Sequence, residues 1–535
     1  MKKPLEVLRL YADHNYTLNG AFASRAVRDP QREFIFCNGE SWSWQAFGEA
    51  VERTARLFVA RGIKKGDRVG VMARNCAGHV LALFALARIG AIMVPVNPEF
   101  GVQEAKYVLN HAEVSAVLAA SDTLAVARQA AESLSVPPWF ALLDGIGRNA
   151  TEDMPLLADL AAAAPPVVLP TDITADDTVL IVYTSGTTGF PKGAMHSQRS
   201  FVTGGEAFVQ RVYLQDSDRV MVVLPMFHIN ANFYSVAGTL AAGARLVIVP
   251  KFSASTFWQV AADTGATEVN IIEAMGTILV NRPRSEYRAD HKLRAVYGVR
   301  ASYADTFRNE FGIPVLIGGY GMTEIPGVTC NPVEGVQKWS TMGPVGRHPD
   351  PDRPWAKCRV VDDAGNDVAT GQEGEMWVKT PIVMQGYFRD AEQTAAAFHD
   401  GWFKTGDVVT CDADGYYRFV TRKGDIIRRR GENIAGAELD RVIGAHPAVY
   451  EAAAVAVSAD LGEDDILVAV VLKPEGKATA QEIAQWCRER LAPQKVPRYV
   501  LFVDALPHTP TAKVQKAVLK SDSTLKARAV DLSLI

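Results

Sequence analysis

YTSGTTGFPKG, residues 183–193, is the stretch from which the rest of the chain is read. It follows a fully apolar run, Val179, Leu180, Ile181 and Val182, the pattern of a strand buried on both faces in an α/β sheet. The stretch supplies three glycines (Gly186, Gly189, Gly193), four hydroxyls (Thr184, Ser185, Thr187, Thr188) and Lys192. Glycine lets a backbone turn through positive φ and come close to a ligand. Consecutive free N–H groups form a nest for an anion, and a lysine adds a mobile point charge. The combination predicts a phosphate-gripping loop. It differs from the common G-x-x-x-x-G-K-[ST] nucleotide loop, because Lys192 is followed by Gly193. A flexible Ser/Thr/Gly surface loop is the plain alternative; Pro191 and the strand just upstream argue for a stiffened one.

Composition narrows the classes. With 535 residues the chain is too long for one ordinary core, so several subdomains are expected. Hydrophobic residues make up 48%, as in a soluble globular enzyme. The net charge of −4 gives no electrostatic case for nucleic acid. The six cysteines are scattered with no C-x-x-C pair, so neither a disulfide framework nor a zinc site is expected, and a reducing cytoplasm fits. The opening MKKPLEVLRLYADHN lacks the apolar core of a signal peptide. No run of about 18 apolar residues occurs, so no membrane span is expected.

Working outward, helical spacing over 44–61 and 79–89 alternates with apolar runs over 67–72 and 91–95. Further apolar runs lie at 220–224, 246–249 and 315–317. Such alternation predicts an α/β fold, a largely parallel sheet covered by helices. Residues 161–170, AAAAPPVVLP, read as a linker. Near the end, runs at 455–457 and 467–472 and a helical pattern over 480–491 predict a compact α+β domain. The organisation expected is a large domain over 1–423, built of several sheet-containing subdomains, and a small one over 424–535 joined by a hinge.

Other stretches carry chemistry. PMFHIN (225–230) puts His228 just after an apolar strand, with Asn230 and Asn232 as further polar lining. GGYGMTE (318–324) combines three glycines, Tyr320, Thr323 and Glu324 after a strand, where α/β folds place ligands. An aromatic face stacks a base, and a carboxylate suits a hard, hydrated cation. WFKTGD (402–407) offers Asp407, although T-G-D in isolation is a plain turn. Arg428, Arg429 and Arg430 could be a solvated face or could meet phosphates. Among the terminal lysines, Lys516 and Lys520 are expected to face solvent.

YTSGTTGFPKG resembles the signature loop of the adenylate-forming superfamily, which comprises acyl-CoA synthetases, peptide-synthetase adenylation domains and beetle luciferases. The other stretches extend that likeness over nearly the whole chain, and KFSASTFW (251–258) resembles the crotonobetaine/carnitine–CoA ligase branch. The resemblance implies ATP, Mg2+ and CoA. It assigns ATP phosphates to Thr184, Ser185, Gly186, Thr187, Thr188 and Lys192, adenine stacking to Tyr320, the α-phosphate to Thr323 and Mg2+ to Glu324. It gives the ribose to Asp407 and Arg422, the pantetheine passage to Arg430, Gly431 and Glu432, the acyl pocket and thiol tunnel to His228, and catalysis to Lys513. Two positions depart from the family pattern: Gly424 stands where relatives carry Asp or Lys at the hinge, and Ala512 stands where they often carry Gly. The adenine loop of relatives is degraded here to Gly298, Val299, Arg300 and Ala301.

The activity implied is ATP-dependent ligation of a small carboxylic acid to CoA through an acyl-adenylate. Loading of a separate carrier-protein pantetheine is the rival enzyme reading, and a dead nucleotide-binding regulator the non-enzyme one. Carnitine-like, fatty, alicyclic, aromatic and steroid side-chain acids all remain open, and a homo-oligomer is compatible with the sequence.

Overall fold

The computed structural model describes residues 1–143, 154–184, 191–429, 432–458, 464–509 and 514–534; the side chains at 428, 432, 433 and 534 lie outside the described set. Contacts divide the chain into two compact units. The first comprises Met1–Thr184, Pro191–Lys357 and Val378–Phe403; the second comprises, among the described residues, those of Cys358–Trp377 and Lys404–Ile535.

The first unit is built on two seven-stranded sheets. One runs Gly386–Tyr387, Lys192–Ser197, Thr178–Thr184, Ile92–Val96, Arg68–Met72, Ala116–Ala119, Trp139–Leu142. From Thr178–Thr184 onward its neighbours are parallel, while the first two pairings are antiparallel. The other runs Val315–Ile317, Ala295–Tyr297, Glu268–Asn270, Arg219–Val222, Arg245–Ile248, Glu33–Cys37, Glu40–Ser43, antiparallel only at its last pair.

Two helices are packed between these sheets. Ala77–Arg88 touches Ile92–Val96 and Thr178–Thr184 of one sheet and Glu33–Cys37 of the other. Its residues from His79 to Ala87 are all buried, because a helix apolar all round is stable only with cover on every side. Gln198–Val212 likewise touches Lys192–Ser197, Ala295–Tyr297 and Val315–Ile317.

The sequence-derived elements match within two residues at most ends. Two readings change. GGYGMTE does more than follow a strand: Gly319–Met322 is itself a strand, paired antiparallel with Ile325–Cys330. WFKTGD is not a turn but the start of the ten-residue strand Trp402–Cys411, which absorbs Gly406 at φ +70°.

In the second unit, residues Asp407 to Cys411 of that strand pair with Tyr417–Arg422. After the short turn Lys423–Asp425, the hairpin Ile426–Arg429 and Glu432–Ala435 leads to the sheet Val449–Ser458, Asp464–Leu472, Tyr499–Phe502, Val530–Asp531. Helices Gly436–Gly444 and Ala480–Arg488 contribute Leu439, Ile443 and Ile483 to the core on one face; Leu519 and Leu525 close the other. Lys516 does not face solvent: its side chain is 12% exposed and paired with Asp440 at 2.5 Å. Lys520 remains exposed but is bound to the Gly424 carbonyl. The six cysteines are free thiols, and among the described residues no helix is long and apolar enough to cross a membrane.

Candidate active site

Thr178–Thr184 and Lys192–Ser197 form a hairpin in which Thr184 faces Lys192. Of the seven residues between them, the six at 185–190, including Ser185, Gly186, Thr187 and Thr188, lie outside the described residues. The hairpin is anchored at its mouth: the Tyr107 hydroxyl donates to the Pro191 carbonyl at 3.0 Å, and the Tyr183 hydroxyl meets His111 Nδ1 at 2.7 Å. Thr184 therefore sits at the carboxyl end of a strand of the parallel array, where α/β folds bind ligands.

Thr323 and Glu324 occupy the turn between Gly319–Met322 and Ile325–Cys330, and several elements hold them. His196, on the Lys192 strand, bonds the Thr323 carbonyl through Nε2 at 2.8 Å. A carbonyl only accepts, so the imidazole proton sits on Nε2. Burial pushes this imidazole down to about 4, which keeps it neutral at physiological pH. The Met384 N–H donates to the Glu324 carbonyl at 2.8 Å. The Tyr387 hydroxyl donates to Glu324 Oε1 at 2.8 Å, leaving Oε2 with no partner among the described residues. The Lys192 ammonium lies 4.8 Å from the Tyr387 ring centre, a cation–π arrangement. Burial, and then the charge of Glu324, push the Tyr387 phenol well above its ordinary value, so it stays a donor. Lys192, Tyr387 and Glu324 thus form one relay of contacts.

The strand Gly319–Met322 presents Tyr320 on one face, its hydroxyl near Met322 Sδ at 3.8 Å. The alternate positions are glycines for a steric reason. A Cβ on Gly321 would drive into the backbone of Gly327 across the hairpin, and one on Gly319 would meet Tyr297 Oη at 2.5 Å.

His228 follows the strand Arg219–Val222 and packs against the Phe227 ring with centroids 4.2 Å apart. Its loop is fixed by a residue far away in sequence. Buried Asn75 donates to the carbonyls of Leu224 (3.0 Å) and Val249 (3.1 Å) and accepts from Met226 N–H at 2.8 Å. Asn232 does not line a pocket. It is fully buried, and its amide donates to the carbonyls of Met226 (2.6 Å) and His228 (3.0 Å), closing the same loop.

In the second unit, the register that pairs Asp407 with Arg422 brings their side chains together, Nε to Oδ1 at 2.9 Å. Arg430, Gly431, Ala512 and Lys513 lie outside the described residues, as does the side chain of Glu432.

The donor set fits magnesium rather than a soft metal. Among the described residues no group of three or more His, Cys, Asp or Glu could hold an ion unaided. Magnesium is commonly held by one or two carboxylates together with substrate phosphates and water, and Glu324 offers one carboxylate with Oε2 unengaged.

The sequence reading did not find Tyr387, His196, Asn75 or the Met384 amide. QGY and AMH are ordinary strand triplets, and no spacing signal sets them apart.

Comparison with known proteins bears on this arrangement. A family model described as AMP-binding enzyme matches residues 22–388, and one described as AMP-binding enzyme C-terminal domain matches 438–513. A crotonobetaine/carnitine–CoA ligase of Salmonella paratyphi A is 30% identical over 499 residues, covering 91% of this chain and 95% of the relative. The crystal structure of ATP-bound MatB from Rhodopseudomonas palustris superposes with a TM-score of 0.83 at 27% identity, covering 96% of this chain and 100% of that one. A benzoate CoA ligase from Burkholderia xenovorans shares the fold with a TM-score of 0.81 at 22% identity, over 95% of this chain and 100% of that one.

Proposed function

The chain belongs to the AMP-binding enzyme family, and from that premise we propose that it is an ATP-dependent carboxylic acid–CoA ligase. The observation that carries the reading is the Lys192–Tyr387–Glu324 relay beside the tethered Thr323. It sets a cation, a neutral donor and a carboxylate at the end of the strands, the groups that ATP phosphates with a divalent ion require. The relatives supply the class: those described above are named as CoA ligases or bind ATP.

In the first half-reaction an oxygen of the substrate carboxylate attacks the α-phosphorus, and the bond to pyrophosphate breaks, giving acyl-AMP. Two unit charges about 4 Å apart repel by roughly 4 kcal/mol at an effective dielectric of 20, so pre-placed cations are needed. We assign the departing phosphates to Lys192 and the loop Thr184, Ser185, Gly186, Thr187 and Thr188, and adenine to Tyr320. The α-phosphate goes to Thr323, and the ribose to Asp407 and Arg422. Mg2+ held by Glu324 would neutralise developing phosphate charge. Lys513 is assigned to the contact between carboxylate and α-phosphate. In the second half-reaction the CoA sulfur attacks the acyl carbon past His228, AMP leaves, and the thiol proton passes to solvent. Arg430, Gly431 and Glu432 are assigned to the pantetheine. Residues 424–535 would turn about Gly424 between the two steps, since Lys513 and the 430–432 face serve different steps from the same small domain.

The test is acid-dependent pyrophosphate release, followed by AMP release on adding CoA. Lys513→Ala should abolish the first while a supplied acyl-adenylate is still thiolated; equal loss of both removes the division of labour. AMP release with a phosphopantetheinylated carrier but not with CoA would favour the carrier-loading reading. Nucleotide binding without acid-dependent pyrophosphate release would favour the regulator.

A further inference from the structure

Glu375, on the strand Gly374–Lys379, is a buried carboxylate whose two oxygens are held by different stretches of the second unit. Oε1 accepts the Gly406 N–H at 3.0 Å, and Oε2 pairs with the Lys423 ammonium at 2.9 Å. Gly406 and Lys423 are the chain neighbours of Asp407 and Arg422, which are themselves paired at 2.9 Å. One carboxylate thus closes a ring through both residues assigned to the ribose. The next residue of its strand adds a further tie. The Met376 carbonyl accepts from the Thr405 hydroxyl at 2.7 Å, and that hydroxyl oxygen accepts the Asp407 N–H at 3.0 Å.

Lys423 also opens the turn Lys423–Asp425. Its ammonium has a second carboxylate, Asp363, at 3.0 Å, but that side chain is 87% exposed and such a pair contributes little. Glu375 is the strong partner, since a carboxylate left unpaired in an interior is costly. The turn is held from its other side too. Lys520, in the helix Lys516–Ser521, donates to the Gly424 carbonyl and lies 3.8 Å from Asp425. A carbonyl oxygen moves with the residue that follows it, because the peptide group is planar. Lys423 therefore anchors the chain before Gly424, and Lys520 anchors it after. Between the two anchors, the backbone bonds that can turn are ψ of Lys423 and φ and ψ of Gly424. Glycine has the widest range of both angles, and a Cβ at Gly424 would meet nothing within 4 Å. One backbone bond spans the turn, from the Ile426 N–H to the Lys423 carbonyl.

We infer that Glu375 is a positioning residue for the two-step reaction: through Lys423 it fixes the near flank of the hinge to the ribose seat, while Lys520 fixes the far flank, so that rotation is confined to the bonds around Gly424. The inference rests on the ligase reading above and names what controls its change of step. The AMP moiety has to stay seated through both half-reactions. A near flank tied to that seat lets residues 424–535 turn without dragging Asp407 and Arg422 with them.

The experiment measures first-turnover pyrophosphate release and CoA-dependent AMP release separately, with an acid that wild type accepts. Lys423→Met should lower the ratio of the second rate to the first by about 10-fold, the lower end for a hydrogen bond to a charged group. Glu375→Gln keeps an acceptor for the Gly406 N–H but offers Lys423 no charge, so it should lower the ratio by the same factor. The double variant should be no worse than either single one, because one interaction is lost once. Lys423→Arg should restore the ratio, and Lys520→Met should lower it. Glu375→Ala releases Gly406 as well and should raise the KM for ATP more than Lys423→Met does. An unchanged ratio in Lys423→Met, an equal loss in both half-reactions, or additive effects in the double variant overturns the inference. If the Glu375 variants do not fold, Lys423→Met against Lys423→Arg decides, at a side chain 39% exposed. If no acid releases pyrophosphate from wild type, the ligase reading itself falls, a result distinct from an unchanged ratio in variants of an active enzyme.

Discussion

The hydroxyl of Tyr387 donates to Glu324 Oε1 across 2.8 Å while the ring of the same tyrosine lies 4.8 Å from the Lys192 ammonium. One side chain thus spans the phosphate hairpin and the carboxylate proposed for magnesium. The phenol is a positioning group: it holds Oε1 and leaves Oε2 with no partner among the described residues.

Tyr387→Phe keeps the ring face for Lys192 and removes only the hydrogen bond. Loss of a bond to a charged group is worth about 1.5–3 kcal/mol, so pyrophosphate release should fall by roughly 10- to 100-fold. The magnesium concentration giving half-maximal ATP binding should rise, read by titration calorimetry without turnover. An unchanged magnesium requirement would restrict Tyr387 to a packing role.

His196→Ala should leave the Thr323 carbonyl orphaned in a buried site, at a cost of about 1–3 kcal/mol before any cavity term. Denaturant melts report that cost, and the KM for ATP should rise with it. His196→Gln can donate to the same carbonyl and should recover part of both losses. If the glutamine variant behaves like the alanine one, the bond to Thr323 is not what His196 contributes.

Gly424 lies outside the positive-φ glycines, and a Cβ there would meet nothing within 4 Å. Gly424→Ala should therefore stabilise the protein slightly, by roughly 0.4–1 kcal/mol through the unfolded chain. Gly424→Pro should spare pyrophosphate release and block AMP release on adding CoA. Normal CoA turnover in the proline variant would move the hinge elsewhere.

Glu206 is a buried carboxylate in the first unit, with His348 Nε2 at 3.1 Å, His14 Nε2 at 3.5 Å and Arg353 at 3.6 Å. Burial alone would raise its pKa, but the two imidazole N–H bonds prevail and bring it from 4.5 down to about 2. Because the folded value is depressed, its contribution is fully present above about pH 4.5 and is lost as pH falls through about 2. At about 1.4 kcal/mol per unit, the window is worth about 3 kcal/mol. Urea midpoints measured between these limits should fall more steeply in wild type than in Glu206→Gln; parallel slopes would refute the assignment.

Much of the architecture was legible because its signals are local. The apolar run at 179–182 must be covered on both faces, and Ala77–Arg88, apolar all round, must lie between two layers. The motif stretches also stood out, since glycines, hydroxyls and a lysine in eleven residues are chemically conspicuous. Local reading failed where a short motif has two conformations open to it. T-G-D reads as a turn, yet pairing along Trp402–Cys411 holds Gly406 within a strand. Asn232 reads as lining, yet two backbone carbonyls claim its amide.

The sequence by itself determined the class of fold, the family likeness and the residue types available for phosphate, base and cation. Only the tertiary structure decided which distant side chains serve those residues. Gly386–Tyr387 pairs with the Lys192 strand, and that register carries Tyr387 to a carboxylate 63 positions away. Helix packing turns Arg211 toward Gly327, 116 positions on. The physical reason is that hydrophobic periodicity specifies which face of an element is buried, whereas hydrogen bonds between elements depend on a register that no single segment contains.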